Sequence, residues 1–177
     1  LLAGRIVERV AQDREPPGVW LDVGFGNGSL LFVAEEWGYD AVGIDLRAEN
    51  VAGLQALGLE AHRCELAELD HDERYSVMSM ADVLEHMPYP KAALEAARRL
   101  LNPGGLLLIS LPNAGTMPWH MLTKAGANPY MGEIEHYHNF SRKRLTALLS
   151  ETGFDPVKYA VSERYRLGME VIARRAT

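Results

Sequence analysis

Apolar positions along the chain switch between two spacings, and the switching predicts an alternation of helix and strand. Leu2, Ile6, Val7 and Val10 recur at helical spacing, and Pro16-Pro17-Gly18 ends that helix. The apolar run Val19-Trp20-Leu21 stops at Asp22 and predicts a first strand over 19–23. Helical periodicity returns over 28–38 through Leu30, Leu31, Val33 and Ala34, and a second strand follows over 41–45. Val51, Leu54 and Leu57 mark the next helix, which Gly58 stops, and a short third strand lies around 59–63. Tyr75 to Ala81 reads as the fourth strand. Beyond Pro90, Ala93, Leu94, Ala97, Leu100 and Leu101 share one helical face, and Leu106 to Leu111 forms the fifth strand. Ser141 caps a helix with Leu145, Leu148 and Leu149 inward and Gly153 at its end. Val157–Val161 and Met169–Ala173 make a final strand pair. So regular an alternation predicts an α/β domain with a mostly parallel sheet covered on both faces.

Residues 112–140 break the rhythm. Pro112, Gly115, Pro118, Gly126, Pro129 and Gly132 punctuate a stretch that holds Met117, Trp119, Met121, Tyr130, Met131 and Tyr137. Long irregular segments inside a domain tend to be functional, and this one is too rich in aromatic residues and Met for a solvated linker. It predicts a partly helical lid at about 113–140 within a single domain over 1–177. An apolar cover for the sheet edge, or a dimer surface, is the competing reading.

Between the first strand and its helix stand Gly24, Gly26 and Gly28, a turn where a ligand can approach bare backbone at a helix N-terminus. Asp45 ends the second strand, where an acid typically accepts hydrogen bonds from ribose hydroxyls. Both features suit NAD or another adenosine-containing cofactor. The dinucleotide fingerprint wants Gly or Ala where Ser29 stands, and the Asp22 carboxylate would repel a pyrophosphate. An ammonium group would be welcome beside Asp22. Adenosine joined to an amino acid, without phosphate, is S-adenosylmethionine.

The stretch Leu21-Asp-Val-Gly-Phe-Gly-Asn-Gly28 resembles the first motif of class I S-adenosylmethionine-dependent methyltransferases. Ile44-Asp45 resembles their ribose-binding acid, and Cys64-Glu-Leu-Ala-Glu-Leu69 the segment whose acid caps the adenine amino group. Asp82-Val-Leu-Glu-His86 is similar to their fourth-strand motif, and Leu100-Leu-Asn-Pro-Gly-Gly105 to the turn before the fifth strand. The branch most similar in motifs is that of the ubiquinone-biosynthesis O-methyltransferases. Phe25, Glu65 and Ser76 depart from the usual residues. The resemblance implies a Rossmann-like seven-stranded, mostly parallel sheet with helices on both faces and an antiparallel last strand. It implies cofactor contacts from Asp22, Gly24, Phe25, Gly26, Gly28, Asp45, Leu46, Glu65, Leu66 and Ala81.

Methyl transfer is an in-line displacement, so alignment comes first, and a base matters only where the acceptor must lose a proton. Glu85 and His86 after the fourth strand, with His136 in the lid, are the candidate catalytic residues. Alternatively Asp82, Glu85 and His86 hold a divalent ion; their spacing resembles the metal-binding pattern of ubiquinone-pathway enzymes and of a small-RNA 2′-O-methyltransferase group. Carboxylate and imidazole suit Mg²⁺, Mn²⁺ or Zn²⁺, which would lower the pKa of a bound hydroxyl. Helix capping is the bland reading of the same residues. His136 and His138 flank Tyr137 and would point to one side of an extended segment. Arg142, Lys143 and Arg144 open a helix, where its dipole disfavours cations; a solvated face is the bland reading, and an acidic or phosphorylated substrate would also explain them.

Composition narrows the partners. The chain has 177 residues, 47% hydrophobic and 24% charged, as in an ordinary globular domain. No apolar stretch nears the roughly 18–20 residues of a membrane span. One cysteine, Cys64, excludes an internal disulfide and suits a reducing cytoplasm, although the opening Leu1 leaves room for an upstream targeting segment. A net charge of -6 argues against broad nucleic-acid binding. The expected function is methyl transfer from S-adenosylmethionine to a small-molecule acceptor, at a hydroxyl; an RNA or protein methyltransferase, or a non-catalytic cofactor-binding domain of the same fold, is the alternative.

Overall fold

Successive strand residues face opposite sides of one sheet, and each side is closed by its own helices. The computed structural model describes residues 2–163 and 167–177. Position 1 and positions 164–166, which the expected 1–177 domain includes, lie outside the described residues. The elements run α1 (Leu2–Ala11), β1 (Val19–Val23), α2 (Ser29–Trp37), β2 (Asp40–Ile44), α3 (Ala48–Ala56), β3 (Glu60–His62) and β4 (Tyr75–Ala81). Then come α4 (Pro90–Leu100), β5 (Leu101–Pro112), α5 (Met117–Lys124), α6 (Arg142–Glu151), β6 (Phe154–Val161) and β7 (Gly168–Arg175). The sheet order is β3-β2-β1-β4-β5-β7-β6, with β7 antiparallel to both neighbours and the other pairings parallel.

Trp20, Ala41, Val77, Leu106, Leu108 and Ile172 pack with α1, α2 and α3 on one side. Leu21, Val42, Met78, Leu107, Ile109 and Val171 pack with α4 and α6 on the other. The two sets alternate along each strand, as a pleat requires. Burial of such aliphatic side chains contributes about 1.5–3 kcal/mol each. Because both faces are covered, the central strands read as near-continuous apolar runs.

The elements predicted from spacing are present, with shifted ends. Leu101 already pairs with Tyr75, so β5 starts before Leu106, and a register shift between Tyr75 and Val77 absorbs the Asn102–Gly105 turn. Leu57 does not share the buried face of α3: it follows the helix and is largely exposed. Strand order reverses at β1, from which β2 lies to one side and β4 to the other. Open α/β sheets bind ligands in the crevice at the carboxyl ends of the strands at such a switch point.

Candidate active site

A cavity of about 790 Å³ opens at that crevice. Val23, Gly24 and Gly26 from the β1 turn, Asp45 and Arg47 after β2, and Glu65 and Leu66 after β3 form part of its wall. Asp82, Val83, His86 and Met87 after β4, with Glu135 and Tyr137 of the 113–140 segment, form the rest of its chemistry-bearing wall.

The floor is shaped by backbone. Gly24 has φ +65, and a Cβ there would lie 2.8 Å from Val83 Cγ2, so only glycine lets the two loops approach. Asp45 organises the loop. Its Oδ2 accepts from the Gly26 N–H at 3.1 Å and the Asn50 side-chain amide at 3.0 Å, and its Oδ1 accepts from the Arg47 N–H at 2.8 Å. Leu46, between them, is in the wall and 61% exposed.

Other expected cofactor residues stand elsewhere. Asp22 is buried, outside the cavity wall, and accepts from the Ser79 hydroxyl at 2.6 Å; Ser79 in turn accepts from Trp20 Nε1–H at 2.9 Å. Strand pairing sets Asp22 opposite Ser79, so the carboxylate ties β1 to β4. The Phe25 ring is buried against Gly43, whose added Cβ would meet Phe25 Cδ1 at 2.6 Å; that explains a large residue where a small one is usual. Gly28 sits at the N-cap of α2 with φ +74, and its added Cβ would lie 2.7 Å from Leu54 Cδ1. It is a packing glycine, outside the wall. Ala81 closes β4 just before the lining residue Asp82. Glu65 is in the wall, but its carboxylate accepts from the Glu68 N–H while Glu68 accepts from the Glu65 N–H, a reciprocal cap on the 3-10 turn Leu66–Glu68.

Across the cavity lies the titratable cluster. Glu85, 2% exposed, and His86 occupy a 3-10 turn after β4. His136 reaches them from the 113–140 segment, and one ligand atom from each of the three lies within 4.8 Å of the others. His86 Nδ1 is 3.0 Å from the Glu135 carbonyl oxygen; donation there leaves Nε2 as the basic nitrogen. The two imidazoles meet edge to face, with centroids 4.6 Å apart. Burial, then the neighbouring His86, holds His136 below its usual range. Its Nδ1 is buried without a hydrogen-bond partner among the described residues. The tight group therefore brings together the three residues named as catalytic candidates, while Asp82, the third member of the alternative metal set, stands outside it. Asp82, in a left-handed conformation at φ 58, lines the cavity instead.

His138 parts from His136: its N–H donates to the Glu85 carbonyl at 3.2 Å, and its ring lies against Phe140 and the Pro88 carbonyl. The basic start of α6 is used within the fold. Arg142 lies over the Tyr159 ring at 3.9 Å and Arg144 pairs with Glu151 at 3.0 Å, so two of the three cations have partners within the fold. Spacing alone missed Arg47, Cys64, Met87 and Tyr89 in the wall; each lies within a few residues of a motif position, the only sequence signal they carry. Burial raises the Cys64 thiol, with Glu68 adding to the effect.

A doubly wound sheet in this strand order, with its glycine turn and acid at the switch point, is the class I methyltransferase fold. The chain belongs to the methyltransferase-domain family, whose model matches residues 1–159. Over 109 residues it is 34% identical to the ubiquinone biosynthesis O-methyltransferase of Klebsiella pneumoniae, covering 57% of this chain and 45% of that protein. The chain thus spans about half the length of the curated relatives it matches. Among solved structures it resembles the Burkholderia thailandensis 1,6-didemethyltoxoflavin-N1-methyltransferase, which holds 1,6-didemethyltoxoflavin and S-adenosylhomocysteine. That likeness has a TM-score of 0.77 at 22% identity, over 99% of this chain and 79% of the other. The magnesium protoporphyrin IX methyltransferase of Synechocystis, with S-adenosylhomocysteine bound, has a TM-score of 0.78 at 20% identity, over 98% and 82%. Among the described residues no helix is long and apolar enough to cross a membrane.

Proposed function

We propose that this domain binds S-adenosylmethionine and transfers its methyl group to a hydroxyl of a small acceptor that is neutral or cationic. The observation that carries the reading is that one cavity joins the Gly24–Gly26 turn and Asp45 at one side to His86 and Glu135 at the other. Asp45 retains acceptor capacity beside its three internal bonds and serves the ribose hydroxyls, while the bare glycine turn lies along the amino-acid end. Leu66 and Met87 supply apolar walls for a base.

In the transfer, the bond from the methyl carbon to the sulfonium sulfur breaks as the bond to the acceptor oxygen forms. His86 Nε2 takes the hydroxyl proton, and the Glu135 carbonyl holds the ring in the tautomer that keeps Nε2 basic. Glu85 lies close enough to stabilise the imidazolium. The charged wall includes Asp45, Glu65, Asp82 and Glu135 against Arg47, a balance that repels anionic acceptors and nucleic-acid backbones.

The cluster also fits a divalent ion. Donors on one ion at about 2.1 Å stand roughly 3–4 Å apart, within the 4.8 Å limit that the Glu85, His86 and His136 atoms meet, and the buried His136 Nδ1 has no hydrogen-bond partner among the described residues. Those three residues would hold it, and when bound it would lower the pKa of the acceptor hydroxyl. Residues 113–140 reach the acceptor-side wall through Glu135 and Tyr137, and we assign that segment the acceptor specificity, as a lid on the site.

Calorimetry with S-adenosylmethionine and S-adenosylhomocysteine, with NAD as control, tests the cofactor; binding in the micromolar range is expected for the first two. Mass spectrometry of a panel of catechols and phenols incubated with protein and cofactor then tests the transfer, before and after chelation. NAD binding in place of S-adenosylmethionine would overturn the reading.

A further inference from the structure

The segment that covers the site is pinned by one continuous run of rings. α5 exposes Met117 and Met121 and buries Trp119. Tyr130 stacks on Trp119, centroids 5.3 Å apart and planes 12° off parallel. His136 lies nearly parallel beyond Tyr130, at 6.1 Å and 19°, and meets the His86 ring at 4.6 Å. The rings therefore run Trp119, Tyr130, His136, His86, from the lid helix to the loop after β4. None of the first three belongs to a regular strand, so ladder hydrogen bonds do not set their positions.

Local bonds hold the upper part of the run. Asn128 accepts from the Tyr130 N–H at 3.1 Å, and its side-chain amide donates to Thr123 Oγ1 at 2.8 Å; Thr123 donates to the Trp119 carbonyl at 2.8 Å. Trp119 and Tyr130 thus form one unit tied through Thr123 and Asn128. His136 has weaker ties: its N–H donates to the Glu133 carbonyl at 3.1 Å, while its buried Nδ1 has no hydrogen-bond partner among the described residues. Its ring orientation rests on the faces it touches, Tyr130 on one side and His86 on another. Burial raises the Tyr130 hydroxyl, with Asp82 and Glu85 adding to the rise, which places that residue beside the same carboxylates.

We propose that Tyr130, clamped by Trp119, is a positioning residue that presents the His136 imidazole to Glu85 and His86, so that seating the lid completes the catalytic cluster. The inference rests on the methyltransferase reading for its kinetic consequence and on geometry alone for the ring contact. It assigns the work to the face of the ring, which Phe would reproduce and Leu would not.

The test compares Tyr130→Leu with Tyr130→Phe, each measured two ways. In NMR spectra at pH 8, the nuclear Overhauser contact between the His86 and His136 ring protons should be present in the wild type, retained in Tyr130→Phe and lost in Tyr130→Leu. That measurement needs no methyl transfer, so it stands even where catechol, the probe acceptor, is not turned over. With catechol, Tyr130→Leu should lower kcat about 10- to 100-fold, as expected for a reacting group displaced by about 1 Å. Its calorimetric affinity for S-adenosylmethionine should stay within about twofold, and Tyr130→Phe should restore turnover. In a His136→Ala background Tyr130→Leu should cost little more, because the two residues act as one unit. Retention of the ring contact in Tyr130→Leu, or its loss in Tyr130→Phe as well, would overturn the proposal. Equal kcat losses with and without His136 would do the same.

Discussion

On the β1–β2 side, the cavity is built from backbone and one carboxylate: Gly24 and Gly26 lie within the span of a strand and a turn, and Asp45 bonds back to that turn. On the opposite side, Glu85 and His86 meet His136 fifty residues later in the chain, through ring contacts and few backbone bonds. The first side is chain-local, and its shape survives most changes of side chain. The second exists only once the 113–140 segment has folded over the sheet. We infer a division of labour in which the first side holds the cofactor and the second side performs the reaction.

The sharpest way to break that division is His86→Ala. Loss of a general base lowers turnover about 10²–10⁴-fold, while calorimetric affinity for S-adenosylmethionine stays near wild type. A fall in affinity of the same size would merge the two sides. Asp45→Ala is the mirror experiment. Removal of charge-assisted contacts worth about 1.5–3 kcal/mol weakens cofactor binding roughly 10- to 150-fold, with turnover at saturating cofactor little changed. Wild-type affinity in this variant would remove Asp45 from the cofactor site.

Gly28→Ala separates the glycines themselves. A Cβ at φ +74, pressed on Leu54, costs about 1–3 kcal/mol of stability, seen as a lower melting temperature, yet cofactor affinity should move less than about threefold. A large affinity loss in a stable variant would put Gly28 back in the cofactor site. The smallest effect expected is on pH dependence. An imidazole held below its ordinary 6.5 binds fewer protons folded than unfolded. Its contribution is therefore complete above about pH 6.5 and is lost as the pH falls through the folded-state value. His71 is lowered in the same direction by burial, so the comparison must be with a His136→Gln variant. Its melting temperature should fall less steeply with acid than that of wild type; equal slopes would show that His136 titrates normally.

Three residues expected at the cofactor also hold the fold together. Asp22, Phe25 and Gly28 all lie within the glycine motif, yet Asp22 bonds Ser79, Phe25 packs on Gly43 and Gly28 makes room for Leu54. A motif records which residues a turn needs without saying which of them face the ligand and which face the core. On the other side, the aromatic richness of 112–140 was visible, but the stack of Trp119 on Tyr130 was not, since no periodicity links the two positions.

By itself the sequence determined the alternation of elements, the glycine turn and the acid at the end of β2, because each depends on neighbours within a few residues: the period of side chains, the φ that glycine permits, the residue that ends a strand. Tertiary structure alone decided that His136, and not Asp82, lies within reach of both Glu85 and His86, that Arg142 and Arg144 have partners within the fold, and that Asp22 faces a neighbouring strand. Those outcomes depend on which distant segments pack together, and side-chain direction at such contacts is set by register and packing rather than by spacing along the chain.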